Sequence, residues 1–273
     1  MRIGVLIKQV PEMEKVRFDN ERGVIDRKSA GTEINPFDLN ALETAVQIKE
    51  NCYSQNSTNT SIIAISMGPD TAESALKEAV SRGADEAVLL SDKKFSGSDT
   101  WATALTLTKA IQKIDNLDLI ITGNMSVDGD TAQVGPQVAE LLNIPHSSFV
   151  SKIEEFNTNN LVVTSELTDG IYLKQLEFPC LISVTKDINT PRLPSLKSKM
   201  KAKKTEIARW KLEDLGSELD QNNFGLKGSP TQVKNIVIPP TTSRKGKLYD
   251  QEEHDQALDD LAELIMKQRI MEG

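Results

Sequence analysis

Residues Thr122-Gly123-Asn124-Met125-Ser126-Val127-Asp128-Gly129-Asp130-Thr131-Ala132-Gln133-Val134-Gly135-Pro136 gather three glycines, two aspartates and several hydroxyl and amide side chains. The stretch follows the short apolar run Leu117-Asp118-Leu119-Ile120-Ile121 and precedes Val134, Val138, Leu141 and Leu142, which repeat at helical spacing. It therefore reads as strand, glycine-rich turn and helix, and in an open α/β sheet ligands sit beyond the carboxyl ends of such strands. Glycines let the backbone approach a ligand closely, and the free N–H groups of a helix start suit a phosphate. The aspartates oppose a phosphate unless they cap amides or hold hydroxyls. Asp128-Gly129 reads as a turn, and Asp130 or Thr131 as a helix cap with oxygens to spare for a ribose. Pro136, if deep in the helix, would remove a hydrogen bond, so an irregular first turn is expected.

Two further segments fall at strand-helix junctions of the same sheet edge: Asn35-Pro36-Phe37-Asp38 and Met67-Gly68-Pro69. Their clustering favours a nucleotide site over a set of plain connections. Lys8-Gln9-Val10-Pro11 ends the first strand beside that edge. No GxGxxG or GxxxxGK[ST] pattern occurs, which argues against a standard dinucleotide fold and a P-loop kinase. His146 follows a helix near the crevice and is more often structural than catalytic at such a place. With only Cys52, Cys180, His146 and His254, the chain has too few ligands for an iron-sulfur cluster or an intrinsic zinc site. No Ser/His/Asp or Cys/His arrangement emerges, so any chemistry falls to a bound cofactor.

The elements that must position these residues follow an α/β rhythm. Ile3 to Ile7, Ile62 to Ser66 and Ala87 to Leu90 are apolar runs of strand length. Asn35 as cap and Pro36 as first residue open a helix carrying Leu39, Leu42 and Val46. Asp70 with Glu73 predicts a capping box for a second helix closed by Gly83, and a third spans Asp99 to Ile114. This order predicts a doubly wound, mostly parallel sheet covered on both sides. Arg17 to Thr32 reads as a surface excursion and Gln55 to Ser61 as a solvated loop. After Pro145, Leu161 to Leu167 and Ile171 to Leu176 flank Thr168-Asp169-Gly170 as an antiparallel hairpin, and Cys180 to Val184 rejoins the main sheet. Prolines keep Pro191-Arg192-Leu193-Pro194-Ser195-Leu196 extended ahead of a lysine run, by default a solvated face and alternatively a docking patch for an acidic partner. Residues 211 to 247 lack periodicity and predict a linker or an arm. Asp250 to Ile270 predicts an amphipathic helix with Leu258, Leu261, Leu264 and Ile265 turned inward.

The chain has 273 residues, 38% hydrophobic, with a net charge of −8. Its acidity argues against a nucleic-acid partner, whose affinity would rest on phosphate neutralisation. No apolar run reaches the roughly 20 residues that span a bilayer. Met1-Arg2-Ile3-Gly4-Val5 leads straight into a strand rather than a signal peptide, so a cytoplasmic location is expected.

Taken together, Val5-Leu6-Ile7-Lys8-Gln9-Val10-Pro11, Asn35 to Asp38, Met67 to Pro69, Thr122 to Pro136, and Asn189-Thr190-Pro191-Arg192 leading to Met200-Lys201-Ala202-Lys203-Lys204 resemble the beta subunits of electron-transfer flavoproteins over nearly the whole chain. The resemblance implies an obligate heterodimer with an alpha subunit that binds FAD. It implies an adenine nucleotide held by Leu6, Asn35, Pro36, Phe37, Asp38, Met67 and Gly123 to Val134, in a domain spanning 1–190. It also implies a partner-recognition segment over 191–208, with Pro191, Arg192, Leu193, Leu196, Met200, Lys201 and Lys203 contacting an FAD-dependent dehydrogenase and Leu196 as anchor. Residues 209–273 would then embrace the alpha subunit. In one subfamily the pocket holds AMP as a structural ligand. In the other it holds a second FAD that takes hydride from NADH, near Met67-Gly68-Pro69, and splits the electron pair between a high-potential and a low-potential acceptor such as ferredoxin. Val127 to Pro136 and Gly225-Leu226-Lys227-Gly228-Ser229-Pro230-Thr231 resemble this bifurcating type more, and the small Ala132 and Gly135 would leave room beside a bulkier ligand. Leu193-Pro194 replaces the aromatic-containing pair common in the simple type, so the dehydrogenase cannot be carried over from it. The rival from another class is an adenine-nucleotide hydrolase or stress-type ATP-binding module, which would favour a Gly- and Ser-rich loop where Lys8 to Pro11 stands.

Overall fold

In the computed structural model, which describes residues 1–12, 17–19, 24–26, 31–54, 60–233 and 246–271, the continuous apolar runs become strands buried on both faces. The first is β1 (Arg2–Leu6). Short strands β2 (Gln9–Pro11), β3 (Arg17–Asp19), β4 (Val24–Asp26) and β5 (Thr32–Ile34) form two antiparallel ribbons, β2 with β5 and β3 with β4. Helix α1 (Pro36–Ser54) leads to β6 (Ser61–Met67), α2 (Glu73–Arg82) to β7 (Glu86–Leu90), and α3 (Thr100–Ile114) to β8 (Leu119–Gly123). After α4 (Val134–Leu142) comes β9 (His146–Phe156), a strand the sequence did not suggest. The expected hairpin forms as β10 (Asn160–Leu167) and β11 (Gly170–Glu177), followed by β12 (Cys180–Val184). Helix α5 (Leu196–Lys204), β13 (Ala208–Trp210) and α6 (Leu212–Leu215) complete this part.

The main sheet has the order β11-β10-β9-β12-β8-β1-β6-β7-β13. It is parallel from β9 to β13 and antiparallel through β10 and β11. From β1 the chain winds outward through β6 to β7, then returns to β8 on the other side of β1. That reversal opens a crevice at the carboxyl ends of β1 and β8. Side-chain alternation divides the core: Ile3, Val5, Ile62, Ala64, Leu119 and Ile121 pack with α1 and α2, while Leu6, Ile63, Ile65 and Ile120 pack with α3 and α4. The outermost strand β11 carries exposed Ile171 and Leu173 on one face.

Several local expectations need correction. Asp70 makes no capping box; a short 3-10 turn over Asp70–Ala72 precedes α2, and the Asp70 carboxylate instead accepts from Ser91 and Arg209. Gly83 does close α2, at φ 135°. Pro136 is the third residue of α4, where its nitrogen would lack an intrahelical acceptor anyway, so the helix starts regularly. The lysine run from Lys197 is helical, because Ser195 caps α5 by accepting from Ser198 N. The expected loop from Gln55 lies outside the described residues as far as Asn59, as does half of the excursion before β5.

The chain divides into two units, Met1–Ile236 and Val237–Gly273. Residues 209 to 233, expected to begin an arm, pack on the first unit, with Leu212 and Phe224 buried in the α3 side of the core. Residues 234–245 of that arm lie outside the described residues. The second unit contains α7 (His254–Met271), whose start is preceded by a capping box between Asp250 and Glu253. Leu258, Leu261, Leu264 and Ile265 are not inward: each is more than half exposed. Among the described residues, no helix is long and apolar enough to cross a membrane.

Candidate functional site

At the mouth of the crevice, α1 begins between the ends of β1 and β8, and its first turn fastens both. The Asp38 carboxylate accepts from Lys8 N at 2.7 Å and from Gly123 N at 3.2 Å. Asn35 does not cap its own helix with its side chain. Its Nδ2 donates to Met125 O at 2.8 Å and its Oδ1 accepts from Val127 N at 3.1 Å, so it pins the glycine-rich turn instead. Burial pushes the Asp38 carboxyl up to about 7, although donors from Lys8, Asn35 and Gly123 pull the other way.

The turn closes as expected around Asp128-Gly129, with Ser126 O accepting from Gly129 N and Asp130 N. Asp130 and Ala132 take positive φ, 50° and 53°. Lys8 Nζ lies 2.6 Å from Asp128 Oδ1 and donates also to Ser126 Oγ. Burial works against the Asp128 charge, but the hydrogen bond and charge of Lys8 outweigh it and hold the carboxyl below its ordinary value. Neither Asp130 nor Thr131 caps α4; the residue before it is Gln133, which makes no capping bond through its side chain. Among the described residues the amides of Val134 and Gly135 are thus left without a side-chain cap at the crevice, an arrangement suited to an anion.

These groups surround a cavity of about 340 Å³. Of the residues expected to hold a nucleotide, Leu6, Asn35, Asp38, Met67, Gly123, Asn124, Met125, Ser126, Gly129, Thr131, Ala132 and Val134 line it. Pro36, Phe37, Gly68, Pro69, Val127, Asp128, Asp130 and Gln133 do not. Asn124 is buried, and its Oδ1 has no hydrogen-bond partner among the described residues. That oxygen is itself shut off from solvent, so it is an unsatisfied group beside the cavity rather than part of its open wall.

The cavity also takes in Ser98, Asp99, Thr100 and Thr103 at the start of α3 and Leu107 in its middle, together with Ile7, Lys8 and Ile65. The sequence did point to a helix start at Asp99, and it lies at a third strand-helix junction of the same edge; that was the available signal. Asp99 caps α3 by accepting from Ala102 N. Gly135 lines the cavity, yet it makes no room for a ligand: a Cβ there would lie 2.6 Å from Ser183 Oγ and 2.8 Å from Thr122 Cγ2, so its missing side chain lets α4 sit close on β8 and β12. His146 stands opposite Leu181 at the start of β9, away from the strand ends that form the crevice.

None of the expected partner-recognition residues lines this cavity. Leu193, Leu196 and Met200 are 86%, 76% and 57% exposed. Arg192 faces the other way, donating to both oxygens of Glu43 and both of Glu50. Arg82 Nη1 donates to Arg192 O at 2.6 Å. The hydrogen bonds that Arg192 donates to Glu50 and Glu43 raise its pKa further. Replacing Arg192 by methionine is expected to leave the mostly buried Glu43 carboxylate without its cation and to cost about 2 kcal/mol, reduced on the solvent side by screening. Thermal melting against Arg192→Lys checks this, since lysine keeps the charge but not the fork; equal melting of wild type and the methionine variant would refute the fastening.

A family model described as "Electron transfer flavoprotein domain" matches residues 22–215. The chain belongs to the electron transfer flavoprotein family. Its relatives in the family include "Electron transfer flavoprotein subunit beta" of Thermoanaerobacterium thermosaccharolyticum, 44% identical over 91% of this chain and 92% of that one. "Caffeyl-CoA reductase-Etf complex subunit CarD" of Acetobacterium woodii is 40% identical over 88% of each chain. "Protein FixA" of Sinorhizobium fredii is 37% identical over 96% of this chain and 91% of its own. The doubly wound sheet and its crevice are thus those of a beta-subunit member of the electron transfer flavoprotein family.

Proposed function

We propose that this chain is the beta subunit of a heterodimeric electron transfer flavoprotein, and that its cavity binds FAD for taking hydride from NADH in electron bifurcation. The observation that carries the reading is a single cavity joining the glycine-rich turn to the start of α4, which has no side-chain cap. That donor and acceptor set suits the phosphates and hydroxyls of a dinucleotide. When bound, the flavin supplies the hydride and single-electron chemistry.

This chain's residues bind and orient. The amides opening α4 meet the phosphates, and Ser126, Thr131 and Asn124 meet ribose or ribityl hydroxyls. Asp128 is engaged by Lys8, which keeps its charge from opposing the phosphates. Leu6, Ile65 and Leu107 give the cavity an apolar wall, and Met67 marks the side from which a nicotinamide approaches. The exposed Leu193, Leu196 and Met200, with Lys201 and Lys203 on the same helix, form the docking face for an FAD-dependent dehydrogenase, the low-potential acceptor being a carrier of the ferredoxin kind. The segment beyond the first unit serves the alpha subunit.

Extraction of nucleotide from the natively purified heterodimer tests this. Two FAD per heterodimer is the expected result. One FAD and one AMP would replace the bifurcating reading with the structural-AMP one, and no nucleotide on this subunit would remove both.

A further inference from the structure

We infer that Asp99 is a positioning residue for the cavity's ligand, fixing the start of α3 from which Ser98, Thr100 and Thr103 line the cavity, and that Ser229 and Thr231 latch it in place. This rests on the reading of the cavity as a nucleotide site. Asp99 lines the cavity, yet both its oxygens are taken by the protein. Oδ1 accepts from Ala102 N at 3.0 Å, while Oδ2 accepts from Thr231 N at 2.9 Å and Thr231 Oγ1 at 2.8 Å. Its own amide donates to Ser229 Oγ at 2.9 Å, and that hydroxyl donates to Gly225 O at 2.8 Å.

The latch is seated tightly. Leu226 N donates to Ser96 O, and Gly225 has φ +61° with Lys94 O 2.2 Å from where a Cβ would stand, so only glycine fits there. On the other side, Thr100 Oγ1 donates to Gln133 Oε1 at 2.9 Å, which ties the start of α3 to the residue before α4. The chain of contacts thus runs from Thr231 through Asp99 and Thr100 to the turn that opens α4. Burial works against the Asp99 charge, but donors from Ala102, Thr231 and Trp101 outweigh it and hold the carboxyl below its ordinary value. A carboxylate spent in this way presents no free oxygen to a phosphate and acts through its neighbours. Reciprocity then requires that a ligand which orders the start of α3 also strengthen the latch.

Thr231 is exposed and does not line the cavity, so it can be changed without touching the ligand. The test uses the full chain copurified with its alpha subunit, stripped of nucleotide and titrated with FAD and, separately, with AMP. Thr231→Val is expected to weaken the beta-site affinity roughly fivefold or more, with Thr231→Ser restoring it. Amide hydrogen exchange at Thr231 and over 99–103 is expected to slow when the site is filled. An unchanged affinity in Thr231→Val, or exchange at Thr231 indifferent to bound nucleotide in a wild type that binds normally, overturns the latch. A wild type that binds neither nucleotide at this subunit overturns the proposed function first, a result read before any variant is compared.

Discussion

Substituting alanine for Gly123 is expected to abolish nucleotide retention and to destabilise the chain by about 3 kcal/mol. A Cβ at this position would lie 2.4 Å from Asp38 Oδ1 and 2.7 Å from both the carbonyl carbon and the Cβ of Phe37. Two of those atoms belong to the rigid first turn of α1, so the strain cannot be relieved by a rotamer change. Either β8 or α1 must move. Movement of either breaks the bond from Gly123 N to Asp38 and carries the glycine-rich turn, which Asn35 holds, away from its place. Urea unfolding and the nucleotide content of the purified variant measure the two effects. A variant of wild-type stability with a full complement of nucleotide would show that α1 and β8 need not approach this closely.

The second large effect concerns Asp38 and pH. Its carboxyl is raised by burial from 3.8 to about 7, so between those values the folded chain holds a proton that the unfolded chain releases. This contribution is fully present below pH 3.8 and is lost as pH rises toward 7. Its full size is of the order of a few kcal/mol. Asp38→Asn removes that slope. It also turns an amide NH₂ toward either Lys8 N or Gly123 N, leaving a donor facing a donor at a cost of about 1–3 kcal/mol. The stability difference between wild type and Asp38→Asn is therefore expected to be larger at acid pH and to shrink toward neutrality. Melting curves of both proteins across that range decide it, and a constant difference would mean that Asp38 ionises normally in the folded chain.

Much of the architecture was legible because parallel strands covered on both faces must be apolar throughout. β1, β6, β7, β8 and β12 announce themselves in that way. β9 does not, since its second half bears Lys152, Glu154 and Glu155 with alternating exposure, and no apolar run marks it. β13 is too short to leave a pattern. α5 hides behind prolines and lysines, with Ala202 its one buried residue.

In the site, the glycine-rich turn and the start of α1 were readable from residue types and their junctions. The details were not. Asn35 is a good helix cap by type, but the nearness of Met125 and Val127 in space diverts its side chain. The direction of the missing Cβ of Gly135 depends on how α4 leans on the sheet, which no one-dimensional pattern encodes. The hydroxyls of α3 were passed over because a capping signal satisfies the local rules without reference to the crevice it faces.

Among the described residues β11 pairs with β10 alone and carries exposed Ile171 and Leu173, which has a practical consequence. A strand bordered on one side only is a template on which newly made copies can stack. Recovery of this chain produced alone is then governed by concentration and by how soon that margin is covered, whatever the robustness of the layers behind it.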